Sequence, residues 1–215
     1  NKIIIRDMKI AIIFDADQQG GGGYYQSLRT IEVILENKGD NEFDIIVTNK
    51  KTQNLLANLG YKTKLFGSLR LANLYFKINS SKILNTILSK IMYKNPFSKF
   101  LDQNYYNFVY FLGPSGLVNL CINHNYVVHI YDVNHKIDNF FPEYRKEIVL
   151  NEREIIFKNC INKAFKIIVD TNRTKNELKN IYNCLDKKIS TIPFNPYLPS
   201  LHKKKENLKI PNLEK

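Results

Sequence analysis

Short apolar runs alternate along this chain with segments whose apolar positions recur at helical spacing. "KIAIIF" (9–14) is bounded by polar residues and suits a strand buried on both faces. From Tyr24 to about Lys38, Leu28, Ile31, Ile34 and Leu35 mark one face of a helix, and Gly39 ends it. "FDIIVT" (43–48) predicts a second strand, "KTQNLLANLG" (51–60) a short helix closed by Gly60, and "KTKLF" (62–66) a third strand. The stretch 68–93 carries Leu71, Leu74, Ile78, Ile83, Ile87 and Ile91 at helical intervals and predicts one broken helix or two. "NFVYFLG" (107–113) and "YVVHIYD" (126–132) are aromatic and β-branched, and predict strands. A helix follows over 142–164 with Pro142 at its start, where the missing N–H costs nothing. "KIIVD" (166–170) predicts a strand, 171–183 a helix capped by Thr171, and "KISTIPFNP" (188–196) a last strand ended by proline.

Strand and helix alternate throughout. That order predicts βαβ units and one α/β domain, a Rossmann-like, doubly wound, mostly parallel sheet of about seven strands with helices on both faces. The domain is expected to span 1–198, with 199–215 a linker.

Composition narrows the class. The chain has 215 residues, 44% of them hydrophobic, enough for a real core. No run approaches the roughly 20 apolar residues of a membrane-spanning helix, and the opening "NKIIIRDMKIAIIFD" reads as a first strand rather than a signal peptide. The net charge of +12 invites an anionic partner. Its lysines are scattered, apart from "HKKKENLK", in a chain crowded with Lys, Asn and Ile. No basic and aromatic cluster of the nucleic-acid-binding kind stands out, and no nucleic-acid partner is expected. Cys121, Cys160 and Cys184 are far apart, without CxxC or Cys/His ligand spacing, which fits buried thiols in a reducing compartment.

A parallel sheet binds ligands outside the carboxyl ends of its strands. Three segments fall there. "DADQQGGGGYY" leads from the first strand into a helix N-terminus, where unpaired N–H groups and the helix dipole favour an anion. Its spacing is neither GxGxxG nor that of a phosphate loop, so Gly20, Gly21, Gly22 and Gly23 are equally compatible with a flexible turn. Asp15 and Asp17 read as a loop acid pair, and no metal is expected. "GPSG" (113–116) holds Gly113 and Ser115, with no nucleophile elbow around the serine. "YDVNHKIDNFFPEY" (131–144) gathers Asp132, Asn134, His135, Asp138 and Glu143. A carboxylate near an imidazole can orient a hydroxyl or move a proton near neutral pH. The plain alternative is that Asp132 caps the loop and His135 is an ordinary polar residue. His124 and His129 read as structural, His129 as a satisfied buried histidine.

This last segment, then a helix rich in Glu and Arg, "AFKIIVDTNRTKNELKNIY" and "KISTIPFNPYLP", resembles the retaining GT-B-fold glycosyltransferases of family 4, also called group 1. Asp132, His135, Pro142, Glu143, Ala164, Asp170 and Ile192–Phe194 follow the family's order, and "GGGGYYQSL" is similar to its glycine loop. The likeness spans nearly the whole chain and is strongest from Val128 to Leu198. Tyr131 stands where many relatives carry a histidine, and Thr171 where they carry serine.

The resemblance implies the acceptor-binding N-terminal half of an enzyme that moves a sugar, with retention, from a nucleoside-diphosphate sugar to a glycan or lipid-linked acceptor. It implies Asp132 and His135 as catalytic, and Gly20, Gly21, Gly22, Gly23 and Tyr24 at the donor phosphate. Gly113, Ser115, Asn134 and Glu143 fall at the acceptor. No cofactor or metal beyond the donor substrate is expected. A C-terminal nucleotide-sugar domain is expected beyond the linker, the half alone is expected to be inactive, and the location is expected to be cytoplasmic, with peripheral contact at an anionic inner-membrane face. Two other classes stay in view: a non-catalytic α/β binding or scaffold module, and a nucleic-acid binder.

Overall fold

The apolar runs become strands because each can be buried on both faces at once. The computed structural model describes residues 7–16, 21–67, 95–137 and 147–194. Seven strands form one sheet: β1 (Lys9–Phe14), β2 (Glu42–Val47), β3 (Thr63–Leu65), β4 (Phe108–Phe111), β5 (Tyr126–His129), β6 (Lys166–Val169) and β7 (Ile189–Thr191). Their order is β3-β2-β1-β4-β5-β6-β7 and every pairing is parallel, with Ile12 opposite Ile45 on one side and Tyr110 on the other. This is a Rossmann-like α/β fold. From β1 the chain winds outward to β3, then returns to β4 on the opposite flank, so a crevice opens between β1 and β4 at their carboxyl ends.

The described helices are α1 (Gly22–Glu36), α2 (Lys50–Asn58), α3 (Pro96–Gln103), α4 (Asn134–Ile137), α5 (Glu147–Lys163) and α6 (Asn172–Tyr182). On one face of the sheet Ile12, Phe14, Ile45 and Val47 meet Tyr24, Leu28 and Ile31 of α1 and Leu56 of α2. On the other, Ile13, Ile46, Phe111 and Val128 belong to a larger core with Phe97 and Leu101 of α3, Phe157 and Ile161 of α5, and Leu178 of α6. Each fully buried side chain of this size contributes about 1.5–3 kcal/mol relative to exposure. Cys121, Cys160 and Cys184 are buried free thiols, and burial pushes those of Cys121 and Cys160 up to about 12.

Several boundaries differ from the pattern. Helix α1 begins at Gly22 and ends at Glu36, and Gly39 lies in the turn beyond with φ 56°. Strand β5 stops at His129, because residues 131–133 already turn toward α4. Strand β7 is only Ile189–Thr191. The pattern omits α3, although "NPFS" announces it: Pro96 occupies the first helical position and Asn95 caps it by accepting from the N–H groups of Phe97 and Ser98. The expected helix over 68–93, Pro142 and Glu143, Gly20, and the linker at 199–215 lie outside the described residues. Among the described residues no helix is long and apolar enough to cross a membrane.

Candidate functional site

Strand ends converge on the crevice between β1 and β4. Asp15 follows β1, Thr48 follows β2, Leu112 and Gly113 follow β4, and Tyr131 lies just past β5. Asp15, Leu112, Gly113 and Tyr131 border a cavity of about 200 Å³ whose further walls are Gly23 and Ser27 of α1, together with Ala16 and Pro114, while Thr48 reaches it through Asp15. The parallel sheet brings these groups together although they are spread over more than a hundred positions of sequence.

Among the described residues that line it, Asp15 is the charged group of this cavity. Its Oδ1 accepts the Thr48 hydroxyl at 2.8 Å and its Oδ2 the Ser115 hydroxyl at 2.7 Å. Desolvation by the surrounding protein pushes its carboxyl above the usual aspartate range, against both hydrogen bonds. The residue nevertheless keeps an exposed edge, so solvent moderates that rise. Ser115 also accepts from the Leu117 N–H, capping the 3-10 turn Gly116–Leu120, so it has a structural task beside its contact with Asp15.

Tyr131 forms the floor. Its hydroxyl lies against the Leu112 carbonyl oxygen and 3.0 Å from Ser27 Oγ. Its ring rests on the His129 ring at 4.6 Å. A Cβ at Gly23 would come to 3.6 Å from this ring, and one at Gly113 to 3.8 Å. The ring is therefore flanked by two glycines, one from the first turn of α1 and one just past the end of β4. Burial pushes the phenol up to about 12, so at neutral pH it is a hydrogen-bonding brace and not a base. Beneath it, His129 is buried with Nε2 2.9 Å from Asp170, whose other oxygen accepts from Gln26 of α1 at 2.6 Å.

The glycine loop divides residue by residue. Gly21 caps α1 at φ 63° and ψ −130°, a backbone that only glycine adopts without strain. Among the described residues no side chain caps this helix, and no acidic residue lies in its first turn. A Cβ at Gly22 would meet nothing within 4 Å, so that position opens onto free space. Tyr24, expected at the phosphate, has its ring buried edge-on against Phe14 and its N–H bonded to the Gly21 carbonyl, because it falls on the core face of α1.

Asp132 and His135 are not brought to this cavity. Asp132 Oδ1 accepts the Asn134 N–H at 3.0 Å, heading α4, and sits 3.6 Å from Arg153 of α5, with its side chain 40% exposed. Asn134 thus enters through its backbone. His135 turns inward. Its side chain is 1% exposed, with Nε2 3.2 Å from Glu154 and 3.1 Å from the Tyr182 hydroxyl, and its ring packs on Phe157. Tyr182 donates to Glu154 at 2.8 Å, and Lys136 and Lys158 pair with the other oxygen of that carboxylate. Burial holds the His135 imidazole below its usual range, against the opposing pull of Glu154. Burial pushes Glu154 up, but hydrogen bonds from Tyr182, Lys136, Lys158 and His135 together hold it low. This cluster ties α4 to α5 and α6.

Sequence reasoning thus missed Thr48, Ser27 and Tyr131, and passed over Asp15. The signal for Asp15 was its place as the first polar residue after a wholly apolar strand. Nothing local marked Thr48 or Ser27, which matter through contacts across the fold. Among the described residues no group of three or more His, Cys, Asp or Glu side chains could hold a metal ion.

No family model matches this chain, and no curated protein does. Solved structures do. One is a putative UDP-N-acetylglucosamine 2-epimerase from Listeria monocytogenes, 11% identical, TM-score 0.51, matched over 86% of this chain and 45% of that one. Another is a glycosyltransferase from Rickettsia africae ESF-5, 13% identical, TM-score 0.48, over 87% and 43%. At such identities the likeness is one of fold. The chain spans less than half the length of either structure.

Proposed function

We propose that this chain is the acceptor-side half of an enzyme that moves a sugar from a nucleoside-diphosphate sugar to a hydroxyl-bearing acceptor, a glycan or lipid-linked molecule, with retention at the anomeric carbon. The observation that carries this reading is the cavity at the β1/β4 crevice, bordered by Gly23 near the uncapped start of α1. Supporting it, the sheet shares its fold with a putative UDP-N-acetylglucosamine 2-epimerase, and the segment 131–198 resembles the family 4 glycosyltransferases.

In sugar transfer the bond from the anomeric carbon to the diphosphate oxygen breaks, and negative charge builds on the leaving phosphate. In this reading backbone N–H groups at Gly22 and Gly23 stabilise that charge from the helix start. Asp132, exposed beside Arg153, positions the acceptor. His135 holds the turn that carries Asp132. The remaining donor contacts belong to a second domain across a cleft, and the enzyme works in the cytoplasm at an anionic membrane face.

The test is release of nucleoside diphosphate by the full-length gene product from a panel of nucleotide sugars. Gly22→Val is expected to cut turnover about 10²–10³-fold while circular dichroism stays unchanged. Unaltered turnover would remove the glycine loop from the phosphate site. Asp132→Asn is expected to lower the rate far more than donor affinity, and the reverse would place Asp132 on the donor side.

A further inference from the structure

We infer that Asp15 recognises a pair of hydroxyl groups, so that the group seated at the β1 edge of the β1/β4 cavity is a neutral polyol, such as a sugar ring, and not a phosphate. Calling that ligand the acceptor rests on the transferase reading, whereas the binding chemistry does not.

The carboxylate is fixed in place before any ligand arrives. Thr48, just past β2, holds Oδ1, and Ser115, past β4, holds Oδ2. Its orientation is thus set by two strand ends on either side of β1. An ionised carboxylate offers about four lone-pair sites. Among the described residues those two hydroxyls are its hydrogen-bond partners, and no cation pairs with it. One site remains on each oxygen, and the exposed residue is reachable from the cavity. Two acceptor sites side by side match two neighbouring hydroxyl donors. A phosphate ester brings negative charge and acceptors to this spot, and among the described residues the cavity lining holds no Lys or Arg to offset it.

The rest of the wall agrees with a sugar-like ligand. Tyr131 and Pro114 supply apolar surface for C–H faces, while Asp15 supplies the polar grip. The cavity therefore has two chemically distinct borders: N–H donors at the head of α1, suited to an anion, and a braced carboxylate at the end of β1, suited to hydroxyls. Asp15 decides which part of the substrates lies on which side.

The experiment is saturation-transfer NMR on the 215-residue chain with methyl α-D-glucopyranoside, its ring analogue 2-methoxytetrahydropyran, which lacks the hydroxyls, and inorganic phosphate. Saturable binding of the glucoside is expected, with the hydroxyl-free ring and phosphate failing to displace it. Asp15→Asn is expected to weaken glucoside binding at least about tenfold, since hydrogen bonds to a charged group contribute about 1.5–3 kcal/mol. Thr48→Val, which frees one oxygen to turn, is expected to weaken it less. Circular dichroism and thermal melting report whether each variant is folded. Absence of glucoside binding, equal binding in Asp15→Asn, or displacement by phosphate or by the hydroxyl-free ring would overturn the inference. Failure of the transferase reading is read separately, in the donor assay on the full-length product. Turnover with no Asp15 effect on glucoside binding sinks this inference alone. Asp15-dependent glucoside binding without donor turnover sinks the transferase reading alone.

Discussion

Two neighbouring glycines show how little residue type says without its surroundings. Gly21 sits at φ 63°, whereas Gly22 has an ordinary helical backbone and open space where a Cβ would go. Gly21→Ala is therefore expected to destabilise the chain by at least about 1 kcal/mol. Gly22→Ala is expected to leave stability unchanged or raise it by up to about 1 kcal/mol, since alanine replaces glycine within a helix. Urea denaturation of the two variants checks the opposite signs. The same scale governs pH. His135 is held neutral because burial lowers its folded pKa below the value of the unfolded chain, about 6.5. Its contribution is thus present above about pH 6.5 and is lost as pH falls through the lower folded value. The groups facing it are Glu154, Tyr182, Arg153 and Asp132. Glu154, also held low, adds a loss in the same direction at more acid pH. The urea midpoint is expected to drop between about pH 7 and about pH 5, and His135→Gln to flatten the upper part of that drop.

Among the elements, α3 and α6 depend on caps of different depth. Thr171 caps α6 at a half-open site by accepting the Thr174 N–H at 3.0 Å. Thr171→Ala is expected to cost about 1 kcal/mol. Asn95 is wholly buried, accepts two N–H groups at the head of α3, and donates to the Leu120 carbonyl at 3.0 Å. Asn95→Ala removes the cap and leaves buried partners unmet, so about 2–4 kcal/mol is expected. Equal losses in thermal melting for the two variants would refute this difference in burial. The Thr171 cap was read from the sequence; the Asn95 cap was not, and its depth arises from the 3-10 turn packing over it from 25 positions away.

For the whole molecule, the all-parallel order and the two-sided core follow from alternation of strand and helix, and the crevice follows from the point where the winding reverses. The cavity there forms one border of a larger site in the proposed function. In the proposed function the 215-residue chain alone is accordingly expected to bind glycosides without turning over nucleotide sugars, and a chain that also carries the second domain is expected to do both. Turnover by the chain alone would place the whole catalytic apparatus within these residues.

Local chemistry in the sequence was sufficient for the strands, for most helices, for Gly60 and Thr171 at helix ends, and for the doubly wound class, because those features depend on hydrophobic period and on residues a few positions apart. The candidate site was legible only as a set of strand ends. Asp132 and His135 are close in sequence, yet α4 turns one outward beside Arg153 and the other inward onto Glu154 and Tyr182. Asp15, Thr48, Ser115 and Tyr131 are distant in sequence, yet the parallel register sets them at one edge. Which polar groups meet is a property of strand order and helix facing, and no local pattern carries it: that was decided by tertiary structure alone.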